Sequence, residues 1–94
     1  MPENQILVPL KIDLHISSDA LDSYLLDLIR AAQDYIKTEG IMLNPASTGD
    51  MMLVSMYAAY LYRKRRNTGD DSKMPRMLRW ALNNRLFQEK ISEG

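Results

Sequence analysis

From Met51 to Tyr62, eleven of twelve residues are apolar or aromatic, with Ser55 the exception. The run reads as the first three turns of a helix over about 50–66, with Thr48 or Asp50 as its N-cap. A helix that is apolar all round is normally buried on all sides. A chain of 94 residues makes one domain with few helices to surround it. One face of this helix is therefore expected to meet another subunit. At about 18 Å the run is too short to cross a bilayer, which takes about 20 apolar residues.

The rest of the composition narrows the class. Hydrophobic residues at 46% and charged residues at 26% are ordinary globular usage, which excludes a disordered tail or a fibre. A chain this size buries only about 60–65% of its unfolded surface. There is no cysteine, so neither disulfides nor a thiolate zinc site can supplement a thin core. Met1-Pro2-Glu3-Asn4-Gln5 does not read as a secretory signal, and the expectation is an intracellular, soluble protein. The net charge is zero but unevenly placed. Residues 1–50 hold eight acids against three bases, and residues 51–94 hold nine bases against four acids. That asymmetry suits a nucleic-acid face, or two complementary faces that meet within one molecule or between copies. Zero overall charge weakens the nucleic-acid option.

Three further segments complete an all-α expectation: a small bundle of three main helices, at about 19–38, 50–66 and 75–84, plus a short N-terminal helical or extended segment. In that segment Ile6, Val8, Leu10, Ile12, Leu14 and Ile16 alternate with period 2, the pattern of a strand, with Pro9 placing it at an edge. A helix beginning at Pro9 is the alternative. Ser17-Ser18-Asp19 reads as an N-cap cluster, Asp22 as first-turn charge, and Leu21, Leu25, Leu28, Ala32 and Tyr35 or Ile36 as one face of a helix stopped by Gly40. Residues 40–49 are a loop and Asn67 to Lys73 a polar turn. Pro75 opens the third helix, Leu78 and Leu82 face inward, and Asn83-Asn84 is the expected fraying point. The trace Leu86, Phe87, Ile91 is left as helical or extended.

Little here points to catalysis. The single histidine, His15, reads as a surface residue, and the four glycines are isolated, so no phosphate loop is present. Asp19 and Asp22 could pair as carboxylates, but helix capping accounts for them. Asp70-Asp71 reads as a solvated turn. Arg63, Lys64, Arg65 and Arg66 form a candidate basic collar, since four consecutive helical residues span about 300° and cannot make one stripe. The collar complements a helix C-terminus, with phosphate contact the minority reading. Met52, Met56, Tyr60, Trp80 and Phe87 are the candidate interface with another subunit or a partner protein: methionine adapts to a contact surface and aromatics anchor one.

Four blocks carry a resemblance to a known family. They are Lys11-Ile12-Asp13-Leu14-His15-Ile16; Asp22 to Ile36, which follows the pattern Asp-x-x-Leu-x-x-Leu-Ile-x-Ala-Ala-x-x-Tyr-Ile; Leu61-Tyr62-Arg63-Lys64-Arg65; and Pro75 followed by Leu82 and Arg85. In order and spacing they resemble the head–tail connector (head-completion adaptor) proteins of tailed bacteriophages, over about residues 10–86. The resemblance implies a small helical bundle whose entry segment is a short helix, and on that point it prevails over the period-2 pattern. It implies a structural virion protein, not an enzyme, with no catalytic residue, metal or cofactor. It implies a ring of copies, a dodecamer, beneath the portal protein at the head–tail junction. Such a ring receives a downstream tail or stopper protein and lets DNA pass without specific binding or any membrane. Arg65, which matches a recurrent arginine of the resemblance, is expected to be structural. The alternative is a small helical nucleic-acid-binding regulator using residues 63–66 with Arg76, Arg79 and Arg85.

Overall fold

The computed structural model describes residues 3–66 and 73–93. Of the expected turn from Asn67 to Lys73, residues 67–72, with Asp70-Asp71, lie outside the described residues. The described residues form an all-α bundle of four helices: α1 (Glu3–Asp13), α2 (Asp22–Thr38), α3 (Thr48–Arg66) and α4 (Arg76–Glu93). Helices α1 and α2 pack on α3 and on each other, and α4 packs on α3. Among the described residues, no helix is long and apolar enough to cross a membrane.

The N-terminal segment is a helix, not a strand, and it starts well before Pro9. The reason lies in the arithmetic of the pattern. Alternate members of a period-2 series are four apart, which is also helical spacing. Ile6 and Leu10 are buried and Leu14 is half-buried, while Val8 and Ile12 are 59% and 71% exposed. The series is thus split between two faces of α1. Pro9 sits inside the helix on its exposed side.

α1 and α2 end in the same way. His15 takes a left-handed φ of 58°, with Ile16 N–H donating to Lys11 O and His15 N–H to Ile12 O. Gly40 has φ of 101°, with Ile41 N–H donating to Ile36 O and Gly40 N–H to Lys37 O. Both are Schellman terminations, and the second carries the usual apolar contact between the buried Ile36 and Ile41. Glycine takes this conformation without strain, whereas a side chain costs about 1–2 kcal/mol there. The two sites predict opposite outcomes. Gly40→Ala lowers the melting temperature by at least about 4 °C, and His15→Gly raises it by a few degrees. Thermal melts followed by circular dichroism check both.

The helix starts also differ from expectation. Asp19 does not cap α2. Residues 19–21 form a turn instead, in which Asp22 N–H donates to Asp19 O, and Leu21 takes the cap position with no side-chain bond. Lys11 Nζ holds Asp22 at 2.8 Å and Asp19 at 3.1 Å, tying the end of α1 to the start of α2. Those hydrogen bonds, first to Asp22 and then to Asp19, raise the Lys11 pKa above its ordinary value. α3 is capped by Ser47, not by Thr48 or Asp50: its hydroxyl accepts from Asp50 N–H at 3.2 Å. Pro75 stands just before α4, and its carbonyl accepts from Arg79 N–H. Asn83 and Asn84 do not fray the helix, because Leu82 on one side is buried and Arg85 on the other is anchored, so α4 runs on to Glu93.

The core is one cluster built from Ile6 and Leu10 of α1, the Leu25–Ile36 stripe of α2, Ile41, the inner face of α3, and Leu78 and Leu82 of α4. The molecule measures 44 × 32 × 18 Å. Its short dimension holds at most two helix layers, each about 10 Å thick. Two layers cannot surround α3. Leu53, Val54, Tyr57, Ala58, Ala59 and Leu61 are buried, but Met52 is 60% exposed.

Candidate functional site

The features that could act outward depend on how α4 is held, and one side chain does most of that. Arg85 Nε donates to Asp50 Oδ1 at 2.8 Å, and its Nη2 to Asp50 Oδ2 at 3.2 Å and to the Met42 carbonyl at 2.9 Å. Its Nη1 donates to Glu89 Oε2 at 2.8 Å. Asp50 also accepts from Asn44 N–H at 2.8 Å. Asp50 is 4% exposed and sits in the first turn of α3, where the helix dipole favours an acid. The guanidinium fork thus joins α4, the start of α3 and the loop between α2 and α3. Burial pushes the Asp50 carboxyl up, but the hydrogen bonds from Arg85 and Asn44, with the Arg85 charge, bring it below the ordinary aspartate value. The Arg85 pKa is raised, chiefly by its hydrogen bond to Asp50. The structural role expected of Arg65 belongs here to Arg85. Arg65 is exposed and has no ion-pair partner among the described residues.

Held in this way, α4 turns an apolar face away from the core. Met77, Trp80, Phe87 and Ile91 are 75%, 67%, 63% and 62% exposed, with the exposed Asn84 among them. Positions 77, 80, 84, 87 and 91 alternate by three and four, the spacing of a coiled-coil seam. At 100° per residue they occupy an arc of about 80°. Leu78, Leu82, Arg85 and Glu89 lie on the other side of the helix, facing the bundle. Trp80 and Phe87 were legible as candidates from the sequence. Ile91 was not, because the expected helix stopped at 84, and Met77 and Asn84, inside that helix, were not read as part of an outward face.

A second uncovered surface runs between α1 and α3. It is a groove of about 290 Å³ lined by residues that include Gln5, Pro9, Asp13, Met51, Met52 and Met56. Met52, which is exposed, and Met56, which is half-buried against the core, form its crest. On their other side a groove of about 360 Å³ separates α3 from Trp80, Asn84 and Gln88 of α4. Tyr60 lies apart from these faces. It is half-buried in an aromatic series with Tyr57 edge-on at 5.9 Å, and Tyr57 in turn stacks on Tyr35 at 5.8 Å. Burial, reinforced by Glu39, raises the Tyr57 pKa.

The basic collar is exposed, and three of its members touch their own fold. Arg63 pairs with Asp13 at 3.4 Å, Lys64 lies 5.7 Å from the Tyr60 ring, and Arg66 lies 5.3 Å from the Tyr62 ring. Contacts of this kind are individually weak at the surface. His15 is exposed and acts through its backbone at the end of α1. A cavity of about 490 Å³ at the C-terminal end of α2 is lined by Gln33, Asp34, Lys37, Met42, Leu43 and Glu89 among others. Among the described residues, no three histidine or carboxylate side chains cluster as metal ligands would. No protein-family model, no curated protein sequence and no solved structure matches the chain.

Proposed function

We propose that this chain is a structural, ring-forming adaptor of the head–tail connector kind, a virion component seated beneath a portal protein. The observation that carries the reading is the pair of uncovered apolar faces on a two-layer molecule, one on α4 and one on the Met52–Met56 crest. A head-to-tail ring needs two different faces on every subunit. The resemblance blocks supply residues that hold the bundle together, which supports the reading. Leu25, Leu28, Ile29, Ala32 and Ile36 are core, Leu61 and Leu82 are buried, and Arg85 is the tie between helices. In this role the protein holds geometry: neighbouring copies close a channel, the portal and a tail or stopper protein bind its ends, and DNA passes through.

A channel through which DNA slides should not grip phosphates, and three of the four collar cations already engage their own chain. Fluorescence anisotropy with labelled duplexes therefore gives binding no tighter than about 1 μM at physiological salt, equal for unrelated sequences. Sequence-selective nanomolar binding, the range of specific regulators, overturns the adaptor reading in favour of a regulator.

A further inference from the structure

The geometry points to a specific head-to-tail contact between copies: the outward stripe of α4 seats in the α1–α3 groove of the next subunit. This inference rests on the ring-forming reading and names the two faces that would make the ring. Apolar character matches first. The stripe offers Met77, Trp80, Phe87 and Ile91, each at least 62% exposed. The groove offers Pro9, Met51, Met52 and Met56, and the exposed Val8 and Ile12 continue the apolar surface of α1 beside it. Large aromatic anchors entering methionine-lined grooves are a favourable pairing, since methionine repacks around them.

Charge selects the occupant. Arg76, Asn83 and Lys90 border one side of the stripe on α4, while Ala81 and Gln88 border the other. Glu89 is turned inward onto Arg85. Among the described residues, Asp13 is the only charged one lining the groove. It is held by Arg63 at 3.4 Å with both side chains more than half exposed, so it can exchange that partner for another cation. A cationic border thus meets an acidic groove. A twofold pairing of α4 with another α4 in antiparallel register sets Arg76 of each copy against Lys90 of the other, which like-charge repulsion disfavours. The α3–α4 groove is the poorer seat, because it is lined by Arg85 and walled by Trp80 of the stripe itself. Two different faces give a heterologous contact, which propagates until it closes.

The absence of native cysteine makes a clean test. Two full-length single-cysteine variants, Phe87→Cys and Gln5→Cys, are mixed at the highest soluble concentration and oxidised gently. Disulfides form only where Cβ atoms come within about 4.5 Å. Mixed Phe87–Gln5 dimers should outnumber either self-linked dimer at least tenfold, and Phe87→Cys should not link to Ser23→Cys on the exposed side of α2. Trp80, the sole tryptophan, should shift its emission to the blue as concentration rises. Predominant self-linking of Phe87→Cys overturns the inference in favour of a twofold α4 contact. Oligomers that form with no link through position 87 overturn the inference and leave the ring reading standing. A chain that stays monomeric at every concentration overturns both.

Discussion

Replacing Arg85 by methionine destabilises the fold by about 3–5 kcal/mol, because it strands a buried carboxylate rather than removing a surface charge. Asp50 is 4% exposed, and without the fork its carboxylate is left with the backbone N–H of Asn44 as a donor. A domain of this size is held by roughly 5–14 kcal/mol in total, so the variant loses a large share of its stability. Its melting temperature falls by more than about 12 °C. Arg85→Lys recovers part of the loss, since an ammonium keeps the charge but cannot reach both Asp50 oxygens, Glu89 and the Met42 carbonyl at once.

The pH dependence of the two proteins separates this account from simple loss of packing. In the native protein the Asp50 pKa is lowered, so its contribution is complete above the unfolded aspartate value of about 4 and is lost as pH falls through the folded value. In Arg85→Met, burial acts unopposed by the guanidinium and raises the Asp50 pKa. Its penalty is then greatest at pH 7 and fades as pH falls toward about 4. The gap in melting temperature between the two proteins is therefore widest at neutral pH and narrows in acid. A gap that stays constant from pH 7 to pH 4 contradicts the assignment of Asp50 as the stranded group.

The second large effect is on assembly and leaves the monomer intact. Met52→Glu lies on an exposed position of α3, so the folded monomer shifts by no more than about 0.5 kcal/mol. In an interface the same carboxylate must lose its water, at a cost of several kcal/mol, or about 100-fold or more in affinity. Met42→Glu, on a residue 76% exposed and outside the groove and stripe, is the silent control. Sedimentation velocity gives the association, and circular dichroism confirms the fold. If Met52→Glu associates as well as the native chain, the crest is not an interface. If it unfolds, the helix is more enclosed than its exposure indicates.

The parts legible in the sequence were those set by local rules. The α2 stripe from Leu25 to Ile36 has unambiguous helical spacing, and Gly40 ends it with the backbone freedom that position needs. α1 was ambiguous because residues four apart satisfy strand and helix alike, and only the placement of Ile6 and Leu10 against α2 and α3 decides between them. The extent of α4 was hidden by Asn83-Asn84, whose low helix propensity is outweighed by the packing of Leu82 and the bonds of Arg85. The Asp50–Arg85 pair joins residues 35 apart in sequence, and no local pattern marks it. Met52, Trp80 and Phe87 were recognisable as excess apolar surface. Their sorting into one groove and one stripe required the helix directions.

The most direct test of the central claim is single-particle electron microscopy of this chain coexpressed with the portal protein from its own genome. The expected result is a closed ring of this chain, coaxial with the portal and bearing an open channel, in which α4 of each copy lies against α1 and α3 of the next. Portal rings that remain bare while this chain stays monomeric contradict it, as does a genome that encodes no portal.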